Sequence, residues 1–356
     1  MRNKLTSGLK AVGSAALTIF IALAIGAVLI SISGENPVTA YRLMINGAFG
    51  SAHKISETLV KAVPLMIMAL GTSIALKNQL WNIGGDGQFT LGAIFALAVG
   101  IYVPLPAVIV FPLSIVAAFI GGGLWAGIAG WLKTRFNANE VITTLMLNYV
   151  ATYLLAYLVY GPMMDPKGFG FPQTPLLPES VRLPLFSAAT RIHMGIFMAL
   201  ILLVLMMFFW RSTLGYKIEL MGQGQQVARY AGVNAKSTMI IAMVLSGGLA
   251  GIAGWNEVYG LHHRLMTDIA SGYGSLAIVI ALLGNLNPIG IAVSSFFFSV
   301  LLVGGNTMQR MTEIPYSIVD VIEALVIIFV ITRSMMKLDV MKNFFTRLGI
   351  GGKKHV

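Results

Sequence analysis

The sequence contains no cysteine and few charged residues. The lack of cysteine excludes disulfides, thiol nucleophiles and thiolate metal sites. Asp, Glu, Lys and Arg together make up 10% of the 356 residues, whereas a soluble domain contains about 25%. Because 57% of the residues are hydrophobic, the chain could not cover a water-facing surface. The composition therefore indicates a membrane protein.

The sequence also lacks the motifs of an enzyme that uses ATP or a metal ion. No G-x-x-x-x-G-K-[ST] motif occurs, so the chain is not expected to hydrolyse ATP by itself. The adjacent His262 and His263 would point about 100° apart on a helix, which does not favour a shared metal. We predict a protein that is not an enzyme and has no cofactor or metal of its own.

Long apolar runs predict the fold. A helix that crosses a bilayer needs about 20 mostly apolar residues. The runs that suit a crossing are residues 11–32, 57–76, 88–103, 105–131, 141–161, 193–210, 237–260, 286–305 and 316–332. A shorter run, 273–284, suits a tilted, broken or re-entrant helix. We predict an all-α, polytopic transmembrane bundle of about ten segments, with one domain over residues 1–356 and its membrane part over 11–332.

The placement of Lys and Arg predicts the orientation of the chain. If residues 1–10 are cytoplasmic, the cytoplasmic segments hold most of the 24 basic residues, including those of the tail 333–356. Cytoplasmic loops of membrane proteins are enriched in Lys and Arg. We therefore predict a multi-pass protein of the bacterial inner membrane with both termini in the cytoplasm. This distribution explains the net charge of +11 without a nucleic acid partner.

Two glycine-rich breaks interrupt the apolar pattern. They are NIGGDGQ at 82–88 and DIASGYG at 268–274, and the predicted topology places them on opposite sides of the membrane. This arrangement is typical of an inverted repeat, here spans 2–5 against spans 7–10. The hexapeptide AGIAGW occurs at both 126–131 and 250–255, and we interpret its glycines as close helix-packing positions.

Polar residues within the spans suggest a solute pathway. Thr144, Asn148 and Thr152 recur every four residues and therefore share one helix face. They could line a path for a polar solute, or they could bond neighbouring helices as structural contacts. Carboxylates such as Glu257 and Asp320 leave open a proton-coupled secondary transporter.

Two long polar segments connect the predicted spans. The proline-rich loop 162–191 would lie outside the cytoplasm, and it could receive a partner or only connect two spans. The segment 211–236 would lie in the cytoplasm. It is the best candidate for a contact with an ATPase, although it could also be an ordinary connecting loop.

Several sequence blocks resemble one family of transporters. The blocks include WNIGGDGQFTLGA at 81–93, NEVITTLMLNYVA at 139–151 and GSLAIVIALLGNLNPIG at 274–290. With them the chain resembles the branched-chain amino acid, ribose and nucleoside permease family of ABC importers over about residues 36–332. The second block and the proline-rich loop are most similar to the nucleoside branch, which works with a BMP-type lipoprotein.

The resemblance implies an ATP-driven importer of nucleosides in which this chain is a permease subunit. Its partners would be an ATP-binding subunit that binds the ATP, a second related permease and an extracytoplasmic substrate-binding lipoprotein. The candidate pathway residues are Asn82, Asp86, Gln88, Asn139, Thr144, Asn148 and Thr152. The candidate ATPase-coupling residues are Gly215, Glu219, Gly222, Arg229, Tyr230 and Gly232.

Two positions depart from the family pattern, and other functions stay open. Glu219 stands where relatives often have Arg, and Gly224 where they often have Asn. Both positions lie in the predicted coupling segment, so they affect its fit to the ATPase and not the family assignment. The alternative functions are import of a sugar or another small polar solute by the same machinery, an ion-coupled secondary transporter, and a passive channel or membrane scaffold.

Overall fold

The computed structural model describes residues 20–187, 190–312 and 317–337. Regular structure within these ranges is helical, and the only β-type pairing there is two isolated bridges, Gln173 with Met266 and Leu185 with His193. The prediction of an all-α bundle is confirmed. The predicted N-terminal segment 1–10 and most of the tail 333–356 lie outside the described residues.

The helices follow the predicted apolar runs closely. In chain order they are α1 Phe20–Ile32, α2 Pro37–Phe49, α3 Ala52–Lys77, α4 Gly85–Tyr102, α5 Ala107–Phe136, α6 Glu140–Tyr160, α7 Gly195–Phe209, α8 Thr213–Gln223, α9 Gln225–Tyr230, α10 Ala235–Glu257, α11 Tyr273–Leu283, α12 Pro288–Met311 and α13 Ser317–Lys337. A 3₁₀ turn, Glu179–Val181, lies in the loop after α6, and a π-helical turn, Val258–His262, extends α10.

Five helices of the described chain are long and apolar enough to cross a membrane: α3, α5, α6, α12, and α10 with its π-helical extension. Two bent pairs raise the number to seven if each pair forms one span: α1 with α2, bent by 118°, and α7 with α8, bent by 70°. The run predicted as short, 273–284, forms the 11-residue helix α11. The chain is thus a multi-pass helical membrane protein.

Glycines let α10 pack closely against α4 and α5. A β-carbon added to Gly251 would lie 2.1 Å from the carbonyl oxygen of Ala118, and one added to Gly92 would lie 2.1 Å from the α-carbon of Gly251. A β-carbon on Gly122 would lie 2.2 Å from the carbonyl oxygen of Gly247. Small residues at these crossings bring the backbones into contact, which favours helix association in lipid.

Two polar side chains on α10 and its extension also bind these neighbours. Trp255 Nε1 donates a 2.8 Å hydrogen bond to Ser114 Oγ on α5, and the Tyr259 hydroxyl donates a 2.8 Å hydrogen bond to the Ala96 carbonyl on α4. Both aromatic side chains are buried. Because their polar atoms are satisfied inside the protein, large amphipathic rings can occupy this apolar core.

The chain divides into two compact units, although one domain was expected from the sequence. One unit is Ser51–Ser299, and the other combines Met1–Gly50 with Val300–Val356. In the second unit the Tyr41 hydroxyl donates to the Leu23 carbonyl at 2.5 Å. A β-carbon on Gly304 would lie 2.6 Å from the Met44 carbonyl oxygen. The single-domain description stays a prediction.

The proline-rich loop after α6 is held by backbone hydrogen bonds. The amides of Thr174, Leu177 and Leu183 donate to the carbonyls of Leu265, His263 and Tyr259, at distances between 2.8 and 3.1 Å. The loop therefore runs along the π-helical end of α10 and the residues after it. Its backbone groups have protein partners there, as a buried segment requires.

Candidate functional site

The two glycine-rich breaks meet in the structure, at the first turns of α4 and α11. Asp86 Oδ1 accepts a 2.7 Å hydrogen bond from the backbone N–H of Gly274. A β-carbon on Gly85 would lie 2.8 Å from the α-carbon of Gly274, so the backbones touch. The N-terminal ends of two helices thus converge beside one carboxylate, and helix N-termini favour negative charge. The two breaks therefore do not lie at opposite surfaces of the membrane, where the predicted topology had placed them, and the inverted repeat stays a prediction.

A cavity of about 260 Å³ opens beside this contact, between α4, α6 and the 268–275 segment. Its volume lies just below the range of typical ligand pockets, which measure about 300–1,000 Å³. The wall is mixed in character: Ile83, Leu145 and Leu155 are apolar members. Its polar members are Asp86, Thr90, Asn148, Tyr149, Thr152, Asp268 and Ser275.

The electrostatic character of the cavity is set by two carboxylates. Asp86 and Asp268 line it, and no Lys, Arg or His stands among the described residues of its wall. Carboxylates, amides and hydroxyls can accept hydrogen bonds from a solute that carries hydroxyl or amine groups. An anionic group, such as a phosphate, would find no basic side chain there.

Asn148 on α6 is fixed by the first break. Its Oδ1 accepts a 2.9 Å hydrogen bond from the Gly87 N–H, and its Nδ2 donates a 2.9 Å hydrogen bond to the Ile83 carbonyl. The Thr152 hydroxyl donates to the Asn148 carbonyl at 3.0 Å. The cavity-lining residue Asn148 is therefore also a structural contact between α6 and the break, and its role in a solute pathway stays a prediction.

The other predicted pathway residues lie outside the wall of this cavity. Asn139 caps α6, and its side chain accepts from the Val141 and Ile142 amides. Buried Thr144 accepts from the Ile83 N–H at 3.2 Å. Asn82 and Gln88 form a buried reciprocal amide pair at 2.9 and 2.7 Å, and Asn82 also donates to Ser246 Oγ at 3.0 Å.

These residues shape the break beside the cavity, and a direct role in transport stays a prediction for them. Sequence reasoning did not single out Thr90, Tyr149, Asp268 and Ser275, which the structure adds to the cavity wall. The signal for two of them was present, because Asp268 opens the second glycine-rich break and Ser275 follows it.

The segment between α7 and α10 forms two short helices, α8 and α9, and part of it is anchored. A β-carbon on Gly215 would lie 2.3 Å from the Phe209 carbonyl oxygen, and one on Gly222 would lie 2.0 Å from the Lys77 carbonyl oxygen. Glu219 forms a 3.6 Å ion pair with Lys77. Gly222 and Glu219 therefore pack α8 onto the end of α3, and Gly215 packs it onto the end of α7.

The remaining predicted coupling residues are accessible. Arg229 and Tyr230 end α9, and the Tyr230 side chain is 94% exposed. Gly232 has a φ of +74° and no atom within 4 Å of the site of a β-carbon. The turn between α8 and α9 passes through Gly224 with a φ of +140°, a conformation that favours glycine. The segment thus combines a helix held by its neighbours, α8, with an exposed aromatic side chain, Tyr230.

A polar cluster lies between the proline-rich loop and the end of α10. His193 Nδ1 accepts a 3.1 Å hydrogen bond from the Gly195 N–H, and the His193 side chain is buried. Glu257 is buried, 3.6 Å from His262 Nε2, and accepts a 3.4 Å hydrogen bond from the Tyr273 hydroxyl. The Glu257 carboxylate, which had suggested a proton relay, thus has two partners inside the protein, His262 and Tyr273.

A family model agrees with this architecture over most of the chain. Residues 54–331 match the model described as the permease component of branched-chain amino acid transport systems. The chain belongs to this family. The match includes both glycine-rich breaks, the cavity wall and the segment from α8 to α9.

Three relatives are similar over nearly their whole length. A glucose ABC transporter permease protein of Haloferax volcanii is 36% identical, covering 92% of this chain and 89% of the relative. A guanosine ABC transporter permease protein of Bacillus subtilis is 32% identical, covering 88% and 91%. A nucleoside ABC transporter permease protein of Lactococcus lactis is 32% identical, covering 88% of each chain.

These matches fix the class of the protein. It is the membrane-spanning permease subunit of an ABC transporter, a transport component and not an enzyme. Membership also implies, in general terms, an ATP-binding subunit and a substrate-binding protein as partners.

Proposed function

We propose that this permease carries nucleosides into the cell along a path that includes the cavity between α4, α6 and the 268–275 segment. The observation that carries the proposal is the chemistry of the cavity wall, where carboxylates, hydroxyls and one aromatic ring face a space without a basic side chain in the described structure. A nucleoside offers hydroxyl donors and an uncharged aromatic base, which these groups can bind.

Charged solutes fit the cavity less well. A nucleotide would bring its phosphate beside Asp86 and Asp268. An amino acid would bring a carboxylate to the same place, although the family description names branched-chain amino acids. Like charges repel strongly where water is excluded. The guanosine and nucleoside permeases among the relatives support the same choice of an uncharged solute.

A sugar is the second candidate solute. The relative from Haloferax volcanii is named a glucose permease, and its 36% identity is slightly higher than that of the two nucleoside permeases. The hydroxyls of a sugar suit the same carboxylate and amide acceptors. The cavity wall favours the nucleoside at one point, because Tyr149 offers a ring on which a base can stack.

The assembly that we propose has four kinds of component. Two permease chains, this one and a related partner, form the pathway in the bacterial inner membrane. The ATP-binding subunits contact the cytoplasmic segment from α8 to α9 and bind the ATP, while this chain binds no cofactor. A lipoprotein delivers the nucleoside on the opposite side, where the proline-rich loop lies. ATP then drives transport by stabilising one of two permease conformations over the other.

Reconstitution tests the solute. We expect ATP-dependent accumulation of labelled guanosine in proteoliposomes that contain both permeases, the ATPase and the binding protein. Guanosine monophosphate and leucine should not accumulate, because the cavity lacks a basic side chain among its described residues. Omission of the ATPase is the control. Accumulation of glucose alone would replace the nucleoside with the second candidate, and gradient-driven uptake by this chain alone would contradict an ABC mechanism.

A substitution at the exposed Tyr230 tests the ATPase contact. We expect Tyr230→Ala to weaken co-purification of the ATPase by about tenfold or more, because buried aromatic residues dominate the energy of many interfaces. Stability should not change, since Tyr230 is 94% exposed in the isolated chain. The matched control is Phe169→Ala, which removes a ring that is 98% exposed in the proline-rich loop. Equal effects of the two substitutions would argue against this contact.

A further inference from the structure

One face of α6 carries a row of exposed tyrosines. The exposed fractions are 57% for Tyr149, 73% for Tyr153, 67% for Tyr157 and 63% for Tyr160. Spacings of four, four and three residues place them on the same side of the helix. The opposite side, with Thr144, Ala151, Leu155 and Val159, is buried against the protein. We call the row Tyr149, Tyr153, Tyr157 and Tyr160 the tyrosine face.

This face differs from the exposed surface of α7. The exposed positions of α7 are hydrocarbon or aromatic hydrocarbon: Phe197, Leu200, Ile201, Val204, Leu205, Met207 and Phe208. Those side chains match the interior of a bilayer, which offers no hydrogen-bond partner. The hydroxyl of a tyrosine would remain unpaired in the same place.

The depth of the tyrosine face also argues against lipid contact. Tyr149 to Tyr160 is a rise of about 16 Å along a helix. Tyrosines that contact lipid concentrate in the two interfacial belts, where the hydroxyl reaches the headgroups. A row this long on one helix cannot lie within a single belt. The tyrosine face is therefore expected to meet water, solute or protein.

The tyrosine face is continuous with the cavity. Tyr149 belongs to both, and Thr152, also exposed, lines the cavity one residue before Tyr153. A solute that leaves the cavity along α6 would meet Tyr153 next and then Tyr157, one helical turn further on. The surface that the solute would touch thus changes from carboxylates and amides to aromatic rings.

We propose that the tyrosine face forms a stacking surface for the base of a transported nucleoside. The inference rests on the proposed function and extends it to named residues. Purine and pyrimidine bases both have a flat aromatic face, so stacking on tyrosine accepts either kind of base.

The test compares two substitutions at one position in the complete transporter. Tyr153→Leu removes the aromatic ring and keeps an apolar side chain, while Tyr153→Phe removes only the hydroxyl. We expect the leucine variant to lose about tenfold or more of the ATP-dependent guanosine uptake, because base stacking on an aromatic ring accounts for a loss of this order. The phenylalanine variant should stay within about threefold of the wild type. Tyr102→Leu, at an exposed tyrosine at the end of α4, is the matched control.

Each outcome has a distinct meaning. Loss of uptake with unchanged co-purification of the second permease supports the stacking surface. Loss of the second permease from the purified Tyr153→Leu complex would instead make the tyrosine face a contact between the two chains. Wild-type uptake by the leucine variant would also overturn the inference, and would leave nucleoside import intact. If the wild-type complex itself carries no nucleoside, the proposed function fails and the inference fails with it.

Discussion

Alanine in place of Gly251 is expected to prevent accumulation of folded permease, whereas alanine in place of Gly127 is expected to leave the protein intact. Both glycines occupy the second position of the hexapeptide AGIAGW. At Gly251 the new β-carbon would lie 2.1 Å from the backbone oxygen of Ala118, and Gly92 and Gly122 crowd the same place. Relief requires α10 to move away from α4 and α5, and overpacking of this kind costs about 1–3 kcal/mol or more.

Gly127→Ala is the control for Gly251→Ala, because the Gly127 site has more room for a β-carbon. Its β-carbon would approach only Val244 Cγ2, at 3.1 Å, and the end of a side chain can move. The measurement is the yield of monodisperse protein after detergent extraction, followed by its thermal unfolding midpoint. Similar yields for Gly251→Ala and Gly127→Ala would show that the three helices do not cross as closely as the structure indicates.

Removal of the Asp86 carboxylate is expected to reduce guanosine uptake strongly. Asp86→Ala leaves the Gly274 N–H without its acceptor, and a hydrogen bond to a charged group contributes about 1.5–3 kcal/mol. The same substitution removes one of two carboxylates from the cavity wall. We therefore expect a fall in uptake of about tenfold or more at unchanged assembly. Asp86→Asn keeps an oxygen near Gly274 without the charge, and should give an intermediate rate.

A second aspartate provides the control for this substitution. Asp165 Oδ1 accepts a 2.9 Å hydrogen bond from the Lys167 N–H in the proline-rich loop, away from the cavity wall. Asp165→Ala thus removes a similar bond to a backbone amide, and it should leave guanosine uptake nearly unchanged as long as the binding protein still co-purifies with the variant complex. Wild-type uptake by Asp86→Ala would show that the contact between the breaks is not needed for transport, and equal losses in the two variants would contradict a specific role for it.

The sequence predicted the helices well because a bilayer imposes a simple requirement. A spanning segment must be apolar and must satisfy its own backbone, so a run such as 57–76 has to be a helix. The structure confirms it as part of α3, Ala52–Lys77. The short run 273–284 was equally readable, since Gly272 and Gly284 mark both ends of α11.

The packing partners of the two AGIAGW copies could not be predicted from the sequence. Trp131 and Trp255 close the two copies of AGIAGW, yet Trp131 is 52% exposed and Trp255 only 1%. The difference arises from the neighbours of each helix, which local sequence does not contain. The contact between Asp86 and Gly274 joins residues 188 positions apart. Sequence indicated two breaks, but only the three-dimensional structure brings them together.

The positions of the candidate residues relative to the cavity could be predicted only in part, for the same reason. The spacing of Thr144, Asn148 and Thr152 correctly indicates one helix face. Along that face the cavity reaches Asn148 and Thr152, while Thr144 lies buried under the first break. Depth along a helix depends on where neighbouring elements end, and periodicity carries no information about it.

Helix α3 connects the α8 region to α11. The end of α3 is tied to the α8 region by the Lys77–Glu219 pair, by Lys77 Nζ 3.9 Å over the Trp210 ring, and by a 2.5 Å hydrogen bond from Gln79 to the Gly222 carbonyl. Its 26 residues extend about 39 Å, and α11 packs along it. A displacement of α8 could therefore be transmitted along α3 to α11, whose Gly274 binds Asp86. Pro64 lies inside α3 and cannot donate a backbone hydrogen bond, so α3 is expected to bend most easily at this residue.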